Sequence, residues 1–428
     1  MKITDTLAAV AQPGVSSRLG QSVLLCLTVA SGAYSRVIVN PLQENMRVAL
    51  AFSDNQMALL QGAAMAVALL LLSVPLGLLI DRYSRVRLLW VLSVLNIAAS
   101  VGTAFAHSFA VIFLARCLVG AAGFAMVPVA LSLLSDWVAP EQRGRSTMAV
   151  SFGQLAGSSA AFALGGFVIA RLGDTAEGWR HALWWLSCPL IPLLFATLAA
   201  KEPPRSGRES VPGSGSTWSE LWRYRHLVWP LLFGMAMLET ALGAVLIWTA
   251  PLFSRVYALP ADRIGAVMAG ALLISGTLGP LLGGIVADLC QRVGGPRRTL
   301  SALSVFALAA LPAGAYASMP DPVLASAVMI VFMTLVSAVA VLSMTLFTVV
   351  VPNELRGLCI SVSIATNVLF ALGLAPLGVS SLMSLVGGSG QIAWALTLEC
   401  MATTAVGGVT FAWAARRYAV RALPARQV

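Results

Sequence analysis

A chain of 428 residues that is 58% hydrophobic and only 10% charged, with a mean hydropathy of +0.87, lies outside the composition of soluble domains and reads as a protein whose solvent is the bilayer. Its net charge of +10 makes no case for nucleic-acid binding, which needs a basic face on a folded soluble module. Here the basic residues sit at the ends of apolar runs.

Crossing a hydrocarbon core of about 30 Å takes roughly 20 apolar residues of helix, with each backbone amide paired inside the segment. Twelve such segments follow one another. Spans one to six fall near 19–43, 56–80, 88–106, 109–134, 147–170 and 180–200. Spans seven to twelve fall near 227–252, 262–287, 299–318, 322–350, 358–384 and 389–414. Between spans six and seven, KEPPRSGRESVPGSGSTWSELWRYRH is rich in proline, glycine, serine and charge, the composition of a solvated linker. The expectation is an all-α membrane protein with a six-helix bundle at 1–200, a cytoplasmic linker at 201–226 and a second six-helix bundle at 227–428.

Lys and Arg in short loops are retained on the cytoplasmic side. With the N-terminus inside, that side collects Arg82, Arg85, Arg87, Arg143, Arg145, Arg292, Arg297, Arg298, Arg416 and Arg417 among others, and the outer loops keep Arg47, Arg171, Arg180, Arg255 and Arg263. This orients the chain with both termini cytoplasmic; the expectation is a bacterial-type inner membrane and a monomer. A cleavable signal peptide after Arg18 is the rival reading of the start, but cleavage would remove one span and leave an odd number.

Six cysteines stand singly, and His107, His181 and His226 have no second ligand at helical spacing, so no metal site is expected. No P-loop, zinc-protease or GxSxG pattern occurs, so neither a cofactor nor enzymatic activity is expected.

Two strings repeat one device. GLLIDRYSRVR at 77–87 and GGIVADLCQRVGGPRR at 283–298 each set a glycine four residues before an aspartate (Gly77 and Asp81; Gly284 and Asp288), followed by arginines. Asp54 to Gly62 matches Asp262 to Gly270 before spans two and eight, and Glu141 to Gly144 matches Glu354 to Gly357 after spans four and ten. Landmarks in the same order in both halves indicate an internal duplication, an arrangement used by transporters whose halves rock about a midplane site.

These residues resemble the major facilitator superfamily over nearly the whole chain, most specifically in GLLIDRYSRVR, where Ser84 replaces a family glycine. SRVIVNPLQ, FSDNQMALLQG, LARCLVGAAG and GWRHALWWLSCPLIPLLFATLAAKEPPR resemble its spinster-like group. Ser35 stands where that group usually carries an acid, and the acid usual near Gly123 is absent. The resemblance implies two pseudo-symmetric six-helix bundles, with spans one, four, seven and ten around a central cavity and three, six, nine and twelve outside.

Charges within spans cost about 2.5–3.5 kcal/mol on insertion scales and mark functional positions. Four occur: Arg36, Arg116, Glu239 and Glu399. On the cavity helices, Arg36 and Arg116 suit a carboxylate, sulfate or phosphate, and Glu239 suits a counter-ion or a proton-coupling site. The alternative is a structural triad locking the halves. Glu399, on a peripheral helix, reads as a residue that snorkels or bonds a neighbour. Tyr34, Asn40, Trp248, Thr334 and Ser337 are further substrate-binding candidates.

Gly77, Asp81, Arg82, Arg85, Asp136, Arg143 and Asp288 are the gating candidates. Asp81 is expected to meet the amides at the start of span eleven near Gly357, and Arg82, Arg85 and Arg87 to pair with Asp136 or Glu141. The glycines of GTLGPLLGG and LGGFV are expected where opposite halves approach. Taken together, the sequence predicts a secondary active transporter of a small amphiphilic or anionic organic molecule, working by alternating access with a coupling ion, a proton. Multidrug or lipid efflux by proton antiport, and a non-transporting sensor of the same fold, are the alternatives.

Overall fold

The computed structural model describes residues 15–138, 143–172, 175, 177–203, 222 and 224–420. All twelve spans are helical. Span one is Val15–Val37, span three Arg85–Phe105, span four Phe109–Trp137, span five Arg143–Leu172, span seven Arg225–Arg255, span ten Pro322–Val350 and span twelve Ile392–Val420. Spans two and eleven each contain a π-helical turn. Span two runs Asp54–Ala58, Leu59–Ala63 and Ala64–Arg82, and span eleven runs Asn353–Val368, Leu369–Leu374 and Ala375–Val386.

Helix starts follow the sequence. Ser53 and Gln56 form a reciprocal capping box at span two, Ser84 and Ser108 accept amides at spans three and four, and Asp321 accepts the amides of Val323 and Leu324 at 2.9 Å each. Span six is broken at Pro189 into Gly178–Ser187 and Leu190–Thr197. Spans eight and nine join in Ala261–Ala310, bent where Gly295 takes φ 62° and ψ −150° ahead of Pro296. Only glycine adopts that conformation cheaply, so the device repeated around Asp288 ends in a sharp turn, unlike its first copy.

Helix one stops at Val37, short of the expected residue 43, so Asn40 lies in the turns that follow it. The linker expected at 201–226 lies mostly outside the described residues.

The described residues form two six-helix bundles; the buried core of the C-terminal one extends to Ala58 and Phe162 of the N-terminal half, which has two further, separate clusters of buried apolar residues. The bundles meet where span two packs on span eleven and span five packs on span eight, two contacts that exchange when the halves are exchanged. The two π turns face one another in the first of these, with Gly62 seated against the carbonyl of Leu372. In the second, Gly166 and Gly265 pass backbone to backbone, and Gly276 receives Leu155. Gly279 and Gly283 instead admit span ten of their own half, and Gly165 admits Pro41, so only part of the two glycine strings serves the interface.

Candidate functional site

Between the halves lies a cavity of about 210 Å³. Its walls are mainly apolar, with Met65, Phe124 and Phe162 from the N-terminal half and Leu242, Leu246 and Leu272 from the C-terminal half. Arg36 and Glu239 face it from opposite halves, and they are its only charged lining residues among those described. Neither makes an ion pair with any described residue. The Arg36 guanidinium lies over the Phe124 ring at 3.9 Å, and its Nη1 is buried without a hydrogen-bond partner. Asn40 also lines the cavity and donates across the interface to the Leu246 carbonyl at 3.2 Å.

The remaining substrate-binding candidates do not line this cavity. Arg116 sits behind the wall, almost wholly buried, with Nη2 donating to the Arg36 carbonyl at 2.8 Å and to Gln61 Oε1 at 3.1 Å. Its Nε donates to Leu60 at 3.4 Å, inside the π turn of span two. The structure therefore gives Arg116 backbone and amide partners in place of the anion expected of it. Gln61, which the sequence reading passed over, reaches the cavity and is held from behind by Arg116.

Tyr34 donates to the Leu186 carbonyl of span six at 2.9 Å, and Trp248 donates to the Pro376 carbonyl at 3.1 Å within the C-terminal half. Thr334 bonds back to Ile330, and it and Ser337 pack against Gly279. Ser35, in the place of a family acid, makes a neutral pair with Asn96 at 2.8 Å. Glu399 rests against Gly378 on span eleven, away from the cavity.

A second polar cluster ties the halves together at the face opposite the chain termini. Arg255, at the end of span seven, contacts Glu44 at 2.8 Å and Asp54 at 2.7 Å. Arg47 completes it, 2.6 Å from Glu44. Between this cluster and the cavity is a space of about 40 Å³, lined by Asn40, Glu44 and Ser254 among others. Burial alone would raise the Glu44 carboxyl, but hydrogen bonds from Arg47 and Arg255 outweigh it and hold the group below the ordinary carboxylate range.

The major facilitator superfamily model matches residues 25–378. The chain belongs to the major facilitator superfamily. It is 30% identical over 266 residues to human protein spinster homolog 3, a match covering 56% of this chain and 50% of that protein, so it spans about half the length of that relative. Among solved structures, a bacterial homolog of the human lysosomal transporter spinster, in an inward-facing and unoccupied conformation, superposes with a TM-score of 0.78 at 19% identity, covering 95% of this chain and 97% of that one. The nucleoside transporter NupG superposes with a TM-score of 0.73 at 14% identity, covering 93% and 99%. These likenesses carry the fold.

In this member of the superfamily the loop after span two is organised around Arg85. Its Nη1 contacts Asp136 at 2.5 Å, the pairing expected from the sequence, and its Nε contacts Glu202 at 3.1 Å. Glu202 was not expected. It also accepts the amides of Arg85 and Val86 and the Ser84 hydroxyl, so it caps span three and binds the end of span six to the base of span four. Ser84 is thus useful where the family has glycine, since its hydroxyl also accepts the Arg87 amide.

All of these partners belong to one half, which makes the Arg85 cluster a brace of the N-terminal bundle. Gly77 and Arg82 are exposed, as is Asp288 in the second copy. The side chains of Asp81 and Arg143, like Glu141 and the side chains at Glu354 and Arg356, lie outside the described residues.

Burial would raise the Glu202 carboxyl, but the Val86 amide and the Ser84 and Arg85 side chains outweigh it and hold the group below its ordinary value. A carboxylate held low in the folded state stabilises the fold above its unfolded value, and that contribution is lost as pH falls through the folded value. Glu202→Gln is expected to lower stability at pH 7 by about 1 kcal/mol, given its partial exposure. Thermal unfolding in nanodiscs should show wild type and variant converging as the medium is acidified, and an equal gap at every pH would remove Glu202 from the brace.

Proposed function

We propose that the chain is a secondary active transporter that moves a small amphiphilic or anionic organic molecule across a bacterial inner membrane by alternating access, coupled to protons through Glu239. The observation that supports this reading is the pair of unpaired, opposite charges set in one apolar cavity, one on each half. Uncompensated charge in a membrane interior is expensive and is kept where a ligand or an ion needs it. Apolar walls with one cation and one acid suit an amphiphile with a charged end. With the termini on the cytoplasmic side, the Arg255 cluster closes the outer face.

The test is a thermal-shift screen of the purified protein against lipids, organic acids and antibiotics, since a ligand bound by the folded state raises its melting point, followed by flux in proteoliposomes. Arg36→Gln should abolish the shift given by an anionic hit. A shift unchanged in that variant would remove the cavity from the mechanism, and binding without flux would favour the sensor.

A further inference from the structure

Arg36 is held in an unusual way for a membrane cation. No described carboxylate lies within ion-pair distance of it, yet its guanidinium is fixed at 3.9 Å over the Phe124 ring. The slot is built by small residues. A Cβ on Gly123 would lie 2.9 Å from the Gly32 carbonyl and 3.2 Å from Arg36 Cγ, so spans one and four close tightly and the Arg36 stem crosses Gly123 to reach the next residue, Phe124. From behind, Arg116 donates to the carbonyl of Arg36 itself, which fixes the end of helix one.

An aromatic face and a carboxylate stabilise a guanidinium differently. A carboxylate occupies N–H donors, commonly two in a fork. A ring attracts the cation through its π face and leaves the five in-plane donors free. Nη1 of Arg36 is such a donor, buried and unpartnered, and the residue lines the cavity beside Phe124. Glu239 is the described acid on the same cavity, and it lies outside ion-pair range.

We propose that Phe124 is a positioning residue that holds Arg36 with its N–H donors free, open to a sulfonate, phosphate or carboxylate group of the ligand. The proposal rests on the cavity being the ligand site.

The probes are p-toluenesulfonate, an anion at every relevant pH, and its neutral isostere p-toluenesulfonamide, titrated into nanodisc-embedded full-length protein by microscale thermophoresis. Wild type should bind the sulfonate more tightly than the sulfonamide. Phe124→Leu should weaken the sulfonate by about fivefold more than the sulfonamide, with Phe124→Tyr and Phe124→Trp restoring wild-type affinity. Phe124→Met serves as a second ringless variant of similar bulk. Unchanged sulfonate affinity in both ringless variants, or equal weakening of both probes, would overturn the role of Phe124 and leave the cavity reading standing. Sulfonate affinity unaffected by Arg36→Gln would overturn the cavity reading itself.

Discussion

Arg255→Ala is expected to open the face opposite the termini. The guanidinium is the only described contribution of the C-terminal half to the cluster, and it touches both Glu44 and Asp54 of the other half. With 13% of its side chain exposed, it is largely withdrawn from water. Removing one partner of a buried ion pair costs about 3–5 kcal/mol because the remaining charges are left uncompensated. Arg47 still neutralises part of the acid pair here, so about 2 kcal/mol is the expected change, which moves the ratio of closed to open forms by roughly thirtyfold.

Spin labels at Val48 and Val256, both exposed on either side of the cluster, would report it as a shift to longer distances in electron–electron resonance. The same labels in the unsubstituted protein should respond to acid. Glu44 is held below its ordinary value by Arg47 of its own half and by Arg255 of the other; opening removes the second of these, so the closed form binds fewer protons and lowering the pH favours opening. Distances unchanged by both the substitution and acid would mean that the cluster does not hold the halves.

The spans were legible because a bilayer enforces length and apolarity together, and the duplication because its landmarks lie at span ends where glycine, acid and arginine are conspicuous. Arg36 and Glu239 were singled out on the same reasoning, and both line the cavity. Arg116 was expected to face the cavity and instead lies behind its wall, a placement for which a signal existed. Arg116, Gly120 and Gly123 recur at helical spacing on one face of span four, and Gly120 admits the backbone of Met65 while Gly123 admits that of Gly32. A face bearing glycines of close approach is turned toward its neighbouring helices, so the arginine on it meets their carbonyls before any cavity.

Of the carbonyls Arg116 meets, that of Leu60 lies in the π turn at Leu59–Ala63, where the regular hydrogen-bond ladder is interrupted, and that of Arg36 lies in the last turn of helix one. No residue pattern in FSDNQMALLQG announces the π turn. The Arg255 cluster was missed for another reason: orientation rules count basic residues by side, and a lone arginine on the poorly populated side passed as background. Its proximity to Glu44 and Asp54 is a product of bundle packing across some 200 residues of sequence. Tyr34 and Trp248 illustrate a third limit. A hydroxyl or indole N–H in a span must find an acceptor, and both found a carbonyl within their own half.

Glu239→Gln is expected to uncouple the protein from pH while leaving its fold intact, because the amide has nearly the shape of the carboxyl and cannot change charge. Among the described residues that line the cavity, Glu239 is the acid and Arg36 the cation, on opposite halves, which the proposed alternating access would move relative to one another. A carboxylate in an apolar wall takes up a proton more readily as its counter-charge withdraws, so a change in their separation would bind or release one proton per cycle. Such linkage alters the ratio of two conformations by up to about tenfold per pH unit.

Labels at Met148 and Leu289, exposed residues of spans five and eight on the other side of the cavity, should show a pH-dependent distance distribution in wild type and a flat one in Glu239→Gln. In the variant only the acid response of Glu44 at the opposite face would remain. In proteoliposomes, accumulation driven by a proton gradient should be lost and exchange down a substrate gradient retained. A wild-type pH response persisting in the variant would dismiss Glu239 and direct attention to Glu399, the acid of span twelve.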